Sequence, residues 1–314
     1  MWNYLLRRLA WSVPTIGVVL VLTFFLVRLS GDPLDELLGP KGGSPAERAR
    51  LAHQLGLDRP LHRQFLDYFV RLGRGDLGSI PSAGAFSSVA EEIRTRLPKT
   101  FALAVSAMLL ATLVGVGSGL VQARMPDTWL DRALRAATFL LISSPVFYFG
   151  ILLIFLFAYL LGILPASATG DTPLAFYLLP VATLGLRPAA FISRVTRSTV
   201  LDELGRQYVL TARAKGLSGI AVLLRHVLRN ASLPLVTIIG GDLGSLMGGT
   251  MITETVFSFR GLGQFAVEAV RNRWFDAVMA VALVWAVIFV LVNLVVDLCY
   301  ARLDPRVNFG RTGQ

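Results

Sequence analysis

Hydrophobic residues along the chain form six long runs separated by polar segments. A helix that crosses about 30 Å of hydrocarbon needs about 20 residues. We place the predicted spans at residues 9–29, 100–123, 137–161, 174–192, 233–254 and 277–300. The second and sixth are the clearest, since 100–123 and 277–296 contain no charged residue. The fourth is the weakest, because it carries Pro180 and is interrupted at Arg187-Pro188.

A long segment, residues 31–98, separates the first two spans and contains local helix signals. Ser44-Pro45-Ala46-Glu47 is a capping box with proline at the first helical position, and Gly56 is a suitable stop. A second helix is predicted over 60–72, where one apolar stripe is formed by Leu61, Phe65, Leu66, Phe69 and Leu72. The segment is therefore expected to be a folded subdomain.

Basic residues fall in alternate connecting segments, which predicts the orientation of the chain. Arginines lie at 7–8, 124–135 and 302–311, and eight basic residues lie between 187 and 229. The segment 162–173 has no Lys or Arg, and 31–98 is a long loop whose charges balance. By the positive-inside bias both termini are expected in the cytoplasm. The predicted division is an N-terminal helix (1–30), an external subdomain (31–98), a five-helix core (99–304) and a cytoplasmic tail (305–314).

Composition supports an integral membrane protein and excludes a water-soluble enzyme. The chain of 314 residues is 54% hydrophobic and 16% charged, against about 25% charged in ordinary soluble domains. Its mean hydropathy is +0.63. The net charge of +10 is explained by basic residues that cluster in particular segments between the predicted spans. Nucleic acid is therefore not an expected partner.

The lysine, histidine and cysteine residues of the chain do not have the spacing of a phosphate loop or of a zinc site. Lys41, Lys99 and Lys215 follow Pro, Pro and Ala, so the chain has no Gly-Lys-Ser/Thr phosphate loop. The three histidines are scattered and Cys299 is the single cysteine, which gives no zinc-site spacing. We therefore expect no catalytic residue, no metal site and no cofactor in this chain, and a membrane-embedded enzyme is disfavoured.

The most informative polar stretch lies in a coupling loop at about 193–231. From Tyr208, small residues favour a helix, Gly216 can supply a positive-φ stop, and Ser218 can cap a second helix. Such a helix–turn–helix could dock in a groove of a soluble partner. Composition alone favours the alternative, a basic loop lying on anionic lipid.

Motifs along nearly the whole chain give this stretch a more specific interpretation. They include Leu5-Leu-Arg-Arg, Gly31-Asp-Pro33, Leu55-Gly-Leu-Asp-Arg-Pro-Leu61, Arg74-Gly-Asp-Leu-Gly78, Arg96-Leu-Pro98, Tyr208-Val-Leu-Thr-Ala-Arg-Ala-Lys-Gly216-Leu-Ser-Gly219, Gly248-Gly-Thr-Met-Ile-Thr-Glu254 and Asn293-Leu-Val-Val-Asp297. Together they resemble the permease subunits of ATP-binding-cassette importers, in the dipeptide/oligopeptide/nickel group.

That resemblance implies an all-α membrane protein with six transmembrane helices and the type I (MetI-like) importer permease fold. It implies a multi-pass permease in the bacterial cytoplasmic membrane that imports short peptides, with nickel or another metal chelate as the alternative. The implied partners are membrane lipid, a second permease, two ATPase subunits that bind ATP and Mg, and an extracytoplasmic solute-binding protein. The ATPase-coupling residues would be Tyr208, Thr211, Ala212, Arg213, Ala214, Lys215, Gly216, Leu217 and Ser218.

The fifth span contains candidate residues for a translocation path. Gly240, Gly244 and Gly248 form a smooth strip at four-residue steps, for which helix packing is the simplest role. Asp242 is an intramembrane acid that should face a watery cavity or pair with a base. Helical spacing puts Asp242, Ser245 and Gly249 on one face, and Glu254 near the outer end. If Asp242 or Glu254 carried ions instead, the chain would be a gradient-driven secondary transporter.

Overall fold

The structure, a computed structural model, describes residues 2–29, 31, 34, 38, 44–54, 56–82, 85–167 and 174–303. The described part is mostly helical. Its elements are α1 (Trp2–Leu29), α2 (Pro45–Gln54), α3 (Leu61–Gly73), β1 (Ser79–Ser82), β2 (Ala85–Ser88), α4 (Val89–Arg124), α5 (Trp129–Ser143), α6 (Val146–Leu153), a π-helical segment (Ile154–Leu160), α7 (Leu174–Leu204), α8 (Gln207–Ala214), α9 (Gly219–Val222), a second π-helical segment (Leu223–Val227), α10 (Leu228–Val256), α11 (Leu262–Arg271) and α12 (Phe275–Leu303).

Among the described residues, four helices are long and apolar enough to cross a membrane. They are Arg8–Leu29, Val89–Arg124, Leu174–Leu204 and Phe275–Leu298. Two bent pairs pass the same test, Trp129–Ser143 with Val146–Leu160 and Gly219–Ser232 with Pro234–Gly248. Counting each bent pair as one span gives six, which agrees with the predicted number.

The third predicted span, 137–161, is wrong as a single helix. α5 and the helix that begins at Val146 meet at an angle of 112°. Ser144 between them is extended, with φ −86° and ψ 138°. The cause is Pro145, because the ring of a proline clashes with an α-helical conformation of the residue before it.

The fourth predicted span, 174–192, is part of a helix that is longer and less interrupted than we predicted. We predicted an interruption at Arg187-Pro188 and an end near residue 192, but α7 is one helix that continues to Leu204 with Pro180 and Pro188 inside it. Each proline removes one backbone donor from the helix. Tight packing of the same region offsets that loss, since Ala189, Ala190 and Ile192 are buried.

The chain divides into two compact units, which we describe separately. The first comprises Met1–Leu5, Thr100–Phe259 and Phe289–Gln314. Its largest cluster of buried apolar side chains joins α4, α7 and α10, and contains Leu103, Ala107, Met108, Ala111, Phe176, Leu179, Leu184, Ala189, Ile192, Leu235, Leu246, Phe257 and Phe259. A second cluster lies around α8 and the two segments that follow it.

Small residues let α4 and α7 approach closely within this unit. A Cβ atom on Gly115 would lie 2.7 Å from the carbonyl oxygen of Ala189, and one on Gly185 would lie 2.6 Å from that of Ala107. Backbone atoms cannot yield as a flexible side chain can. Glycine is therefore required at both positions, as is common where membrane helices touch.

The second unit comprises Leu6–Lys99 and Arg260–Ile288. The helices predicted in its 31–98 segment are present as α2 and α3. The backbone N–H of Glu47 donates to Ser44 Oγ at 3.2 Å, which confirms the cap, and Gly56 follows α2 with φ +66°. The antiparallel ribbon of β1 and β2, which pairs Ser79 with Ser88, was not predicted.

Candidate functional site

The candidate coupling segment, residues 206–222, is a short helix, a tight turn and a second helix. α8 ends at Ala214, and Gly216 has φ +81°, a conformation that costs a residue with a Cβ about 1–2 kcal/mol. The N–H of Gly216 donates to the carbonyl of Arg213 at 2.9 Å. Ser218 Oγ then accepts from the N–H of Ala221 at 3.3 Å and caps α9. The predicted helix–turn–helix is confirmed as local structure.

One face of this segment is anchored in the first unit. Val209 is fully buried and Ala212 is 7% exposed. They belong to the same apolar cluster as Val200 in α7 and Val227 in the second π-helical segment. The coupling segment is therefore packed against two long helical stretches rather than extended into solvent.

Tyr208 adds a polar anchor beside that apolar contact. Its hydroxyl donates to Glu203 Oε2 at 2.7 Å. Burial raises the pKa of the Tyr208 phenol, and the hydrogen bond to the Glu203 carboxylate raises it further. The phenol therefore stays a neutral donor at physiological pH and holds α8 to the end of α7.

The opposite face of the segment combines exposed apolar and basic side chains. Leu210 and Ile220 are 61% and 52% exposed, and Leu224, two residues after the segment, is 54% exposed. The remaining predicted coupling residues lie on the exposed surface as well: Thr211, Arg213, Ala214, Lys215, Gly216, Leu217 and Ser218. An exposed apolar patch rimmed by charge is typical of a protein-docking surface.

The candidate path residues do not share one environment. Asp242 is half-buried, and among the described residues it forms no ion pair within 4.0 Å, although Arg187 lies close enough for its charge to act on the carboxyl group. Ser245 is exposed and its hydroxyl donates to the carbonyl of Gly241 at 3.2 Å. Gly249 lies in α10, but its surroundings fall outside the described residues.

Glu254, the fourth candidate, is fully buried in the last turn of α10. Its Oε1 accepts a hydrogen bond of 2.7 Å from the hydroxyl of Thr100 in α4. The carboxylate is therefore occupied by a contact between two helices. It does not lie on the surface that exposes Ser245.

The glycine strip of α10 has a packing role at two of its three positions. Val296 occupies the space where a Cβ of Gly240 would lie, and Phe289 lies 3.2 Å from the corresponding position on Gly244. Among the described residues, nothing lies within 4 Å of such an atom on Gly248. The packing interpretation is therefore confirmed for Gly240 and Gly244 and stays a prediction for Gly248.

Residues 111–309 match the family described as binding-protein-dependent transport system inner membrane component. The chain belongs to this family. It is 39% identical over 310 residues to the glutathione transport system permease protein GsiC of Salmonella choleraesuis strain SC-B67, covering 98% of this chain and 100% of that protein. It is 36% identical over 338 residues to the di/tripeptide transport system permease protein DppB of Pseudomonas aeruginosa strain UCBPP-PA14, with 99% and 100% covered.

Solved structures agree on the fold of this permease. An inward-facing MetNI methionine ABC transporter structure has a TM-score of 0.54 at 18% identity, and covers 68% of this chain and 96% of its own. An amino acid ABC transporter structure with histidines has a TM-score of 0.55 at 16% identity, covering 68% and 94%. This permease is thus a multi-pass membrane protein with the type I importer permease fold, as predicted.

Sequence reasoning missed an ion pair between α5 and α7 of this permease. Asp131 at the start of α5 is fully buried and accepts two hydrogen bonds of 2.9 Å from Arg197 in α7. The backbone N–H of Asp127 and the side chain of Arg135 also contact the Asp131 carboxylate, at 2.9 and 3.3 Å. The available signal was an acid within a basic segment, but the partner lies 66 residues away in sequence.

Proposed function

We propose that this permease pairs with a second permease to form the translocation path of an ATP-driven importer for short peptides. Residues 206–222 would dock on cytosolic ATPase subunits, and a solute-binding protein would deliver the peptide from outside. The coupling segment carries this proposal, because it exposes an apolar and basic face while its other face is anchored to α7 and to the segment preceding α10.

The anchored face supplies a physical route for coupling. When the ATPases bind ATP with Mg and close, α8 would be pushed, and Val209 and Ala212 would transmit the push to Val200 and Val227. Packed interiors shift as units rather than deforming gradually. The displacement would therefore reach α7 and α10 and alternate access to the path.

Charge supports the orientation that this function requires. Eight basic residues between 187 and 229 favour the cytoplasm for the coupling segment, and both termini follow it there. Residues 31–98 and 255–276 would then lie outside. The bacterial cytoplasmic membrane is the proposed location, in agreement with the inner-membrane description of the family.

The relatives support peptides as the substrate class. They transport glutathione and di/tripeptides, and they match nearly the whole length of this chain. Nickel or another metal chelate remains the alternative cargo of the resembled group. Among the described residues no cluster of three His, Cys, Asp or Glu could hold a metal ion, so a chelate would have to be selected by the binding protein.

A change at Leu210 tests the docking surface without disturbing the fold. Leu210 is 61% exposed, so Leu210→Asp removes little internal packing. Burying a leucine at an interface contributes about 1.5–3 kcal/mol, and about 1.4 kcal/mol corresponds to a tenfold change in an equilibrium constant. We expect the variant to retain about tenfold less ATPase on purification from native membranes, measured by quantitative mass spectrometry.

Val270→Asp provides the matched control for that experiment. Val270 is 62% exposed on α11, in the other compact unit, and here too an exposed apolar side chain is replaced by aspartate. It should retain the ATPases at the level of the unmodified chain. Equal retention by both variants would contradict the docking role of the 206–222 segment.

The rival function is a secondary transporter that uses Asp242. The half-buried carboxyl group, without an ion pair among the described residues, is the observation in its favour. Peptide uptake by the purified chain alone, in vesicles with a proton or sodium gradient and no ATPase, would support it. We expect no uptake under those conditions.

A further inference from the structure

Four charged side chains meet where the turn between α4 and α5 lies against α7. They are two aspartates and two arginines, Asp127, Asp131, Arg135 and Arg197, so the group is neutral as a whole. All four belong to the first compact unit. The proposed importer function assigns no role to this group beyond holding two helices together.

The partners of the buried Asp131 carboxylate are of two kinds. Arg135 lies four residues later on α5, and the backbone N–H of Asp127 lies four residues earlier, so both are local partners that move with Asp131. Arg197 belongs to α7 and donates from Nε and Nη2, each at 2.9 Å. A relative movement of α5 and α7 would therefore separate Asp131 from Arg197 alone.

Arg135 is placed to take over the Asp131 carboxylate but does not hold it fully. Its Nη2 atom lies 3.3 Å from Asp131 Oδ2 and 3.4 Å from Asp127 Oδ1, so one nitrogen is shared between two acids. A guanidinium group carries five N–H donors. Within the described part of the chain no other nitrogen of Arg135 contacts an acid, so the group has further donors to offer.

The second arginine lowers the cost of breaking the pair between Asp131 and Arg197. A buried charge that loses its partner is left uncompensated, which is why such a pair is usually costly to break. With Arg135 on the same helix, Asp131 keeps a cation whichever way α7 moves. Arg197 also has another acceptor within reach, because Asp127 lies near enough for its charge to act on the Arg197 guanidinium.

The α7 side of this group leads directly to the coupling segment. Arg197 lies one turn before Val200 on α7, and Val200 is fully buried in the cluster that contains Val209 and Ala212 of α8. A push on α8 would therefore reach Arg197 through one turn of helix. Interfaces with alternative sets of ion pairs switch between discrete arrangements rather than deforming gradually.

We propose that Arg135 and Arg197 exchange on Asp131 during the transport cycle, with Arg135 as a positioning residue that holds the carboxylate while α7 moves. In the state described here, Arg197 occupies both oxygens of Asp131. In the other state Arg135 occupies them, and Arg197 turns toward Asp127 or water. This inference rests on the proposed function, because the ATP-driven displacement of the coupling segment is what moves α7.

Arginine-selective labelling of the full chain, assembled with its native partners, reports the exchange directly. Phenylglyoxal reacts with accessible guanidinium groups, and peptide mapping by mass spectrometry quantifies each arginine. Labelling is compared without nucleotide and with ATP, Mg and vanadate, which hold the ATPases closed. We expect labelling of Arg197, 19% exposed here, to rise in the trapped state, and labelling of Arg135, 45% exposed here, to fall.

Arg132 is the internal control for the labelling. It is exposed on the same helix α5, and its Nη2 donates to the carbonyl of Asp127 without contacting Asp131. Its labelling should be the same in both states. Unchanged labelling of Arg135 and Arg197 in a trapped complex would overturn the proposal, and so would a change in the same direction at both.

A substitution at Arg135 tests the consequence for transport. We expect Arg135→Gln to slow peptide uptake by the assembled importer about tenfold, because Asp131 is left without a cation when Arg197 departs. In rate terms, a tenfold change corresponds to about 1.4 kcal/mol of activation free energy. Arg135→Lys keeps the charge and should retain most of the uptake, and Arg132→Gln should retain all of it.

The thermal unfolding temperature separates this role from a structural one. Arg197 still pairs with Asp131 in the Arg135→Gln variant, so Arg135→Gln and Arg132→Gln should unfold at the same temperature. Slower uptake accompanied by a lower unfolding temperature, or equal uptake by the two variants, would overturn the proposal. Failure of the chain to trap any ATPase would contradict the importer function itself, on which the exchange depends, so the two failures are distinguishable.

Discussion

Gly216 shows how one residue can set the shape of the coupling segment. Its φ of +81° is a conformation that L side chains rarely adopt, yet no atom of the described part of the chain lies within 4 Å of the place where a Cβ would be. Gly219, three residues later, is equally open but has no positive φ. Alanine at Gly216 would therefore strain the backbone, whereas alanine at Gly219 would not, and neither substitution would cause steric crowding.

We expect Gly216→Ala to weaken coupling and Gly219→Ala to leave it unchanged. The strain at a positive φ costs about 1–2 kcal/mol, which lowers the ratio of the native turn to alternative conformations by a factor of about 5–30. The measurement is peptide taken up per ATP hydrolysed, in vesicles containing the assembled importer. A similar ratio for both variants would mean that the geometry of the turn does not matter.

Tyr68 provides a pH-dependent prediction at the same scale. Burial, and then the nearby Asp276 carboxylate, raise the pKa of the phenol from 10.0 to about 12. The folded state thus binds this proton more tightly than the unfolded state, so the stabilisation is present below pH 10.0 and is lost as pH rises toward about 12.

Alkaline titration by absorbance, compared with Tyr68→Phe, measures this pKa directly. The difference between the two titrations should have its midpoint near 12. A midpoint near 10 would mean that the phenol is open to water and that the packing around Tyr68 is not as described.

Local sequence signals predicted the roles of single residues correctly where the two interacting residues are close together in the sequence. Ser44 caps α2 within three residues, and Ser218 caps α9 in the same way. The bond between Thr100 and Glu254 could not be found in this manner, because the two residues are 154 positions apart. Only the fold brings such pairs together.

At the scale of whole elements, proline acted differently at two sites. Pro145 ends a helix because Ser144 before it takes an extended conformation. Pro188 lies inside α7, where buried neighbours maintain the helix. Hydrophobicity alone does not distinguish the two cases, which is why the third span was predicted unbroken and the fourth too short.

The ion pair between Asp131 and Arg197 is the main polar connection that we identify between α5 and α7. Removing one partner of a buried pair typically costs about 3–5 kcal/mol, because the other charge is left without compensation. We expect Asp131→Asn to lower the thermal unfolding temperature of the detergent-solubilised protein, followed by size-exclusion chromatography after heating.

Asp127→Asn is the matched control for this prediction. The Asp127 side chain is 80% exposed and contacts Arg135 at 3.4 Å. An exposed pair contributes about 0–1 kcal/mol, and asparagine tolerates the φ of 58° at this position. Equal unfolding temperatures for the two variants would show that the buried pair contributes no more than the exposed one.

At the scale of the whole molecule, hydropathy alone was enough to predict the two membrane spans whose central residues carry no charge. The second and sixth predicted spans lie within α4 and α12, whose central residues carry no charge. The β1–β2 ribbon was missed because its strands have four residues each, and Ser79-Ile-Pro-Ser82 has little β-forming character. A cavity of about 490 Å³ beside α3 and the start of α12 was also missed, because its lining comes from segments about 200 residues apart.

The most direct test of the central claim, that this chain works as the permease of an ATP-driven importer, is its native composition. The chain would be tagged at its C-terminus, extracted from native membranes in detergent, and its co-purifying proteins quantified by mass spectrometry. We expect one second permease and two ATPase subunits with phosphate-loop motifs per chain. A stable homo-oligomer without any ATPase would contradict the account and would make Asp242 the residue to examine as an ion carrier.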